Sequence, residues 1–262
     1  MIDTLLIGGK GRIGSGLRTY LPKLNPEYRI TSADLPGAED RATDPDAHRA
    51  FVDLDVSRSD EGLRDVLECR DLVVYLARKS GLGEMNAMTD LVFKAVMDVC
   101  PDALVIGSSS VHVTGGAYSP FEKEPYATIA ARRFEDVDPW PDPLPATLNP
   151  CPTGDYGLEK AYVEAWCQRL GAIGQDAVAA RWGGINVENA MTPEVGYFTV
   201  WCHQEDSARF VDACFETHRT GKLRRGAHYY VISDNTHNIF DIETARQEIG
   251  YKPTHDAEGF YR

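Results

Sequence analysis

A run of glycines placed directly behind a short apolar strand limits this chain more than anything else in it. Thr4-Leu5-Leu6-Ile7 has strand character and passes into Gly8-Gly9-Lys10-Gly11-Arg12-Ile13-Gly14, after which Ser15 to Leu21 reads as helix. A strand, a tight turn and a helix start compressed into so few residues leave few folds open. Glycines in such a turn let backbone N–H groups approach a pyrophosphate, which a Cβ would block. The positive end of the following helix favours the phosphate charge. The run parses as Gly9-x-Gly11-x-x-Gly14 or as Gly8-x-x-Gly11-x-x-Gly14, and the spacing leaves both open.

Asp34 fits either parsing. It lies at the end of a second candidate strand, Arg29 to Ser32, about twenty residues beyond the turn, where a carboxylate accepts hydrogen bonds from adenosine ribose hydroxyls. The same carboxylate repels a 2′-phosphate, so NAD is expected over NADP, while Lys10 and Arg12 pull weakly toward the extra phosphate. A tight turn that merely packs beneath a helix is the plainer alternative, and an acid in register argues against it.

Strand-like and helix-like segments then alternate: strand at Ala50-Phe51-Val52, helix from Asp60 to Leu67, strand at Asp71 to Leu76, helix from Glu84 to Val99, strand at Ala103 to Gly107. Further on come a helix from Tyr156 to about Leu170, a strand at Ala177 to Arg181 and a helix around Asp206 to Thr217. A strand at Tyr229 to Ile232 and a helix near Glu243 to Ile249 complete the series. This cadence predicts an α/β fold of Rossmann type, a doubly wound parallel sheet with a small C-terminal substrate lobe. With 262 residues and 43% hydrophobic content the chain suits one domain over residues 1–262, with a dinucleotide-binding core to about residue 180 and mostly substrate-side segments from 181 to 262. The exception is Gly115 to Asp155, rich in Pro, Asp and Glu, whose prolines forbid a continuous helix or central strand. Such a stretch serves as a lid or binding loop, or forms a disordered surface insertion, and both readings stay open.

A formal charge of −13 disfavours a nucleic-acid partner, and Arg78-Lys79 and Arg224-Arg225 are too short to make an electrostatic footprint. Cys69, Cys100, Cys151, Cys167, Cys202 and Cys214 are scattered, without C-x-x-C pairs or zinc-spaced histidines, so reduced thiols and no metal are expected. No apolar run reaches membrane-span length and no leader pattern opens the chain, so a cytoplasmic protein without a membrane partner is expected.

The chemistry sits between the fifth strand and the sixth. Tyr156 and Lys160 are four apart on one helix and project from one face. A nearby ammonium lowers the cost of ionising the phenol, which lets a tyrosine act as general base below its ordinary range. Ser110 closes the fifth strand at the edge where ligands bind such sheets, and its hydroxyl can hold the reacting oxygen in line. Tyr-x-x-x-Lys occurs widely by chance; its place, opening the helix that follows Ser108-Ser109-Ser110, gives it weight.

On these residues the chain resembles the extended short-chain dehydrogenase/reductases, the epimerase/dehydratase-like branch, over nearly its whole length. Gly8, Gly11, Arg12, Ile13 and Gly14 match the family's dinucleotide turn, Asp55-Val56 its adenine-side contact, Leu76-Ala77 its fourth-strand motif and Tyr156-Gly157-Leu158-Glu159-Lys160 its catalytic pair. The resemblance implies Ser110, Tyr156 and Lys160 as catalytic residues, with Tyr156 and Lys160 also meeting the cofactor. Within the branch the chain is most similar to small uronate and aldose dehydrogenases, through Ser109 to Gly115, Tyr197 to Trp201, and Val231 to Thr236 with Gly250 to Pro253.

That similarity implies an oxidoreductase of carbohydrate metabolism that oxidises the anomeric C1 hydroxyl of a sugar, sugar acid or sugar phosphate with NAD, and a homo-oligomer. Ser80, Ser110, His112, Tyr156 and Arg181 are then the substrate contacts. The chain departs from the pattern at Val111, in place of an asparagine, at Gly184, in place of a serine, and before Tyr197, where the arginine that grips a substrate carboxylate is missing. Arg78 and Lys79, beside Ser80, offer positive charge from another side, or are simply a solvated pair. Trp201 is expected in the core. A sugar epimerase or dehydratase that retains NAD, and a non-catalytic dinucleotide sensor, are the alternatives.

Overall fold

A computed structural model describes residues 1–58 and 60–262. The strand ahead of the glycines is β1 (Ile2–Ile7), and it feeds α1 (Arg12–Leu24), β2 (Tyr28–Asp34) and β3 (Ala50–Asp53). There follow α2 (Asp60–Leu67), β4 (Leu72–Tyr75), α3 (Leu82–Val99) and β5 (Leu104–Ser110). Two short helices, α4 (Gly115–Tyr118) and α5 (Tyr126–Ala130), precede α6 (Asp155–Ala172) and β6 (Ala177–Trp182). The chain closes with α7 (Tyr197–Val200), α8 (Gln204–Arg219), β7 (Ala227–Val231) and α9 (Glu243–Ile249).

The strands form a seven-stranded sheet in the order β3-β2-β1-β4-β5-β6-β7, every pairing parallel. The predicted doubly wound sheet is therefore the observed one. Its order reverses between β1 and β4, where Ile7 stands in register with Ala33 on one side and Tyr75 on the other. In open parallel sheets the crevice beyond such a reversal receives ligands. Here the glycine turn after β1 and Leu76-Ala77 after β4 form its two lips.

Side chains alternate across a strand, so a sheet covered on both faces reads as unbroken apolar runs. Leu5, Ile7, Val73 and Val105 pack on one face with Leu63, Val92, Phe93 and Val163 from α2, α3 and α6. Leu6, Val74, Leu104 and Ile106 pack on the other with Leu17, Leu21, Phe210 and Val211 from α1 and α8.

One expectation needs correction. Gly115 to Asp155 is not an open insertion: it breaks into α4, α5 and single turns, and Tyr118, Phe121, Ile129, Leu144 and Ala146 share a third core with Tyr197, Phe198, Trp201, Tyr230 and Phe240. The prolines do prevent a long element, yet the aromatic residues between them find a surface to bury against. Leu144 also pairs with Phe240 in an isolated parallel bridge. Beyond residue 180, α8 packs on the sheet and β7 is its outer strand. The smaller lobe combines residues from 111 to 146 with residues from 197 to 257. No helix among the described residues is long and apolar enough to cross a membrane.

Candidate active site

Beyond the β1/β4 reversal lies a cavity of about 670 Å³, and Gly8, Gly11, Arg12, Ile13, Gly14, Asp34, Asp55, Val56, Leu76 and Ala77 all line it. These are the positions the sequence assigns to a dinucleotide. Gly8 holds φ +90, and a Cβ there would lie 2.6 Å from the Ala77 nitrogen, so the fold itself demands glycine. Gly11 is different. Its φ is −72, and the one protein atom near an added Cβ is the Gly8 carbonyl oxygen at 3.3 Å. The protein tolerates a side chain at Gly11; what needs the space is whatever enters the cavity. Gly9 packs against Ser32 and lines no part of this cavity, which favours the Gly8, Gly11, Gly14 parsing.

Asp34 ends β2 at the cavity wall, where its carboxylate accepts the backbone N–H of Lys10 at 2.8 Å and of Leu35 at 2.9 Å. Each oxygen keeps a lone pair for a ribose hydroxyl. Asp55 is held below the usual carboxylate range, chiefly by the Ser57 hydroxyl 2.6 Å away. This donor set, a phosphate-sized cradle at a helix start opposite a ribose-accepting acid, fits NAD.

A second cavity of about 630 Å³ adjoins the first, and Arg12, Ile13 and Arg41 line both. Ser110, His112 and Tyr156 stand in its wall with Asn186, Thr192 and Glu194. Ser110 is the last residue of β5, and its hydroxyl accepts the His112 N–H at 3.3 Å as the chain turns. Tyr156 lies in the first turn of α6, which comes close to the β5 end because Gly157 has no Cβ; one would sit 2.7 Å from the His112 carbonyl oxygen. Ser110 and Tyr156 share this wall, and the His112 ring lies 5.6 Å from the Tyr156 ring.

Lys160 follows one turn further along α6, 3% exposed, with its Nζ 5.7 Å from the centroid of the Tyr156 ring. Burial pushes its amine down to about 8. The phenol behaves contrary to expectation. Burial raises its pKa above the ordinary tyrosine value, and the influences that partly offset this are the nearby Ser110 hydroxyl and the charge of Arg78, not Lys160. Burial likewise lowers the pKa of His112, so its imidazole is neutral near pH 7.

Two positions expected to touch substrate do not reach this cavity. Arg181 is 0% exposed, its guanidinium forked onto Glu164 with Nε–Oε1 2.8 Å and Nη2–Oε2 2.9 Å. It also donates to the carbonyl oxygens of Ala146 and Leu148, tying the smaller lobe to β6. Ser80 is exposed beyond β4 and lines neither cavity. Trp201 is 2% exposed, in the core as expected. Arg78 is exposed yet not unpartnered: it pairs with Glu159 and covers the Tyr156 ring.

Arg41 is a residue the sequence does not reveal. The segment from Leu35 to Arg49 has no periodicity, and its placement depends on long-range pairs, Arg18 with Asp40, Lys23 with Asp44 at 2.6 Å and the Arg41 N–H to the Lys10 carbonyl at 3.1 Å. Away from both cavities, donor atoms of His203, Glu205 and His255 gather within 4.8 Å. Glu205 there already accepts Arg209 at 2.6 Å and meets His255 at 3.0 Å, the arrangement of an ion-pair network.

No family model matches the chain. Among curated proteins it is similar to the NAD-dependent glucose-6-phosphate dehydrogenase of Haloferax volcanii, 23% identical over 269 residues that span 98% of this chain and 94% of that one. A mutant of uronate dehydrogenase from Agrobacterium tumefaciens, solved in complex with NAD, superposes with a TM-score of 0.71 at 16% identity, covering 100% of this chain and 88% of its own. The dTDP-glucose 4,6-dehydratase from Bacillus anthracis in complex with NAD gives 0.70 at 14% identity, with 98% and 93% covered. The likeness is one of fold: the chain shares the parallel-sheet architecture of these solved structures.

Proposed function

We propose that this protein is an NAD-dependent oxidoreductase that oxidises a hydroxyl of a sugar, sugar acid or sugar phosphate, the anomeric C1 hydroxyl in the preferred reading. The observation that carries this is the shared wall: Ser110, His112 and Tyr156 line a cavity that opens through Arg12, Ile13 and Arg41 into the one lined by the glycine turn and Asp34. The backbone of Gly8 to Gly14 holds the pyrophosphate and Asp34 the adenosine ribose. Bound there, NAD supplies the hydride acceptor.

Ser110 donates to and aligns the sugar oxygen. Tyr156 takes the proton from that oxygen, working from its phenolate. Lys160, buried behind the tyrosine, stabilises the phenolate in its charged form. Arg12 and Arg41 lend positive charge to the mouth of the substrate cavity, which suits a carboxylate or phosphate on the sugar. Glu188 and Glu194 on the facing wall leave the rest of the cavity to neutral hydroxyls.

The relatives support the class: one curated relative is named for glucose-6-phosphate oxidation with NAD, and one structural relative for uronate oxidation. A second reading, a sugar epimerase or dehydratase that retains NAD, is suggested by the likeness to a dTDP-glucose 4,6-dehydratase solved with NAD. Incubating the purified protein with NAD and a panel of free aldoses, uronic acids and sugar phosphates separates the two. Release of NADH in proportion to the sugar consumed supports the dehydrogenase. Conversion of the sugar without net NADH release supports the epimerase or dehydratase, and neither change would overturn both.

A further inference from the structure

Lysine is the cation that a Tyr-x-x-x-Lys site offers its tyrosine, yet here a second cation stands closer to the ring. Arg78 follows β4, and its guanidinium carbon lies 5.0 Å from the centroid of the Tyr156 ring, against 5.7 Å for the Lys160 Nζ. A guanidinium over an aromatic face at this range is held by the ring quadrupole and projects its charge onto the phenol.

The arginine is not placed by chance contact. Its Nε donates to Glu159 Oε1 at 2.5 Å, and Nη2 reaches Oε2 at 3.5 Å, on a carboxylate whose side chain is only 2% exposed. Glu159 sits on α6 between Tyr156 and Lys160, so one helical turn carries the phenol, the ammonium and the anchor for the guanidinium. A buried carboxylate left without that partner would be costly, which keeps the arginine in place although half its side chain meets solvent. Arg78 belongs to the wall of the dinucleotide cavity and Tyr156 to the wall of the second cavity, so their contact forms part of the partition between the two.

The charged and titratable groups around the phenol can be enumerated. Arg78 faces it from the end of β4, Glu159 and Lys160 from α6, His112 from the turn after β5, and Glu194 approaches His112 from across the cavity. Of these, Glu159 opposes ionisation and is neutralised by Arg78 itself. Lys160 loses its proton near 8, whereas a guanidinium stays charged at every pH the protein meets.

We infer that Arg78 is a positioning residue for Tyr156: anchored by Glu159, its guanidinium supplies the permanent positive charge beside which the phenol ionises, a role Lys160 shares but does not hold alone. This rests on the proposed function in that Tyr156 is taken as the base. It adds the assignment of the arginine and its carboxylate anchor.

The test compares the full-length wild type with Arg78→Met and Arg78→Lys in two measurements. In the first, kcat/KM for NAD reduction with whichever sugar turns over is followed against pH. In Arg78→Met the acid limb moves up by about one pH unit, a loss approaching tenfold well below the wild-type midpoint, and Arg78→Lys recovers part of the shift. A merely structural arginine lowers the rate by one factor at all pH values and leaves the limb where it was, which would overturn the inference while the dehydrogenase reading stands. In the second, the tyrosinate absorbance of each free protein is titrated against the same chain carrying Tyr156→Phe, which isolates this phenol without any substrate. If no sugar is oxidised by the wild type, the functional reading fails and this titration alone decides: a higher midpoint in Arg78→Met upholds the charge assignment, and an unchanged one refutes it.

Discussion

Glu164 and Arg181 form a forked ion pair inside the protein, 1% and 0% exposed at the side chain, with a closest approach of 2.8 Å. Ser109 completes the carboxylate's shell at 2.6 Å, so a helix, two strands and, through Arg181, the Ala146 and Leu148 carbonyls are joined at one point. The pair lines neither cavity.

Removing one partner strands the other. Arg181→Met should destabilise the protein by about 3–5 kcal/mol, whereas Arg181→Met combined with Glu164→Leu should recover much of that loss. Urea unfolding of the three proteins checks this. If the single variant kept wild-type stability but raised KM for the sugar, Arg181 would be a substrate contact after all.

The two glycines of the turn should respond differently. Gly8→Ala forces φ +90 on an L-residue against the Ala77 backbone and should cost about 1–3 kcal/mol of stability. Gly11→Ala meets little but the Gly8 carbonyl and should fold normally while weakening NAD binding about tenfold or more. Thermal melts set beside NAD titrations distinguish the two; wild-type NAD affinity in Gly11→Ala would mean that the pyrophosphate lies elsewhere.

Tyr156→Phe keeps the ring against His112 and loses the proton acceptor. Turnover should fall roughly 100- to 10,000-fold with NAD affinity almost unchanged. Single-turnover assays and NAD titration of the variant test the split, and wild-type turnover would remove Tyr156 from the chemistry.

Asp34→Ser removes the carboxylate proposed to meet the ribose and repel a 2′-phosphate. The ratio of kcat/KM for NAD over NADP should drop about tenfold or more, a change of roughly 1.4 kcal/mol. An unchanged ratio would show that Arg41 or another group sets the preference.

Lys160 makes a stability prediction with a defined sign. Its amine titrates near 8 when folded and near the ordinary lysine value when unfolded. Between those values the unfolded chain binds more protons, so stability rises with pH across about 8 to 10.5 and the cost of the buried ammonium is present in full below that window. Lys160→Met should therefore be more stable than wild type at pH 7, by an amount on the order of 3 kcal/mol, and the two should converge toward pH 10.5. Parallel unfolding curves at pH 7 and pH 10 check the convergence.

Local pattern carried the sequence reading a long way, because backbone conformation and strand burial are written in short-range periodicity. The strand, glycine turn and helix, Asp34 at the end of β2, and the succession of parallel strands are legible that way. So is the convergence of Ser110 and Tyr156, since the end of β5 and the start of the next helix must meet at the same sheet edge.

What the sequence could not decide was which arginine serves the tyrosine and which serves the core. Arg181 lies on a strand end pointing toward the expected site and Arg78 in a polar stretch that reads equally as solvated or as substrate-side charge, yet Arg181 is buried and Arg78 covers Tyr156. A side chain's environment depends on what distant segments lay over it: Glu164 and the Ala146 to Leu148 backbone enclose Arg181, while Glu159 draws Arg78 onto Tyr156. Arg41 and the folded segment from Gly115 to Asp155 belong to the same category, positioned by ion pairs and aromatic burial between residues far apart in the chain. Periodicity records which face of an element is apolar, and only the assembled tertiary structure determines what each polar group will meet.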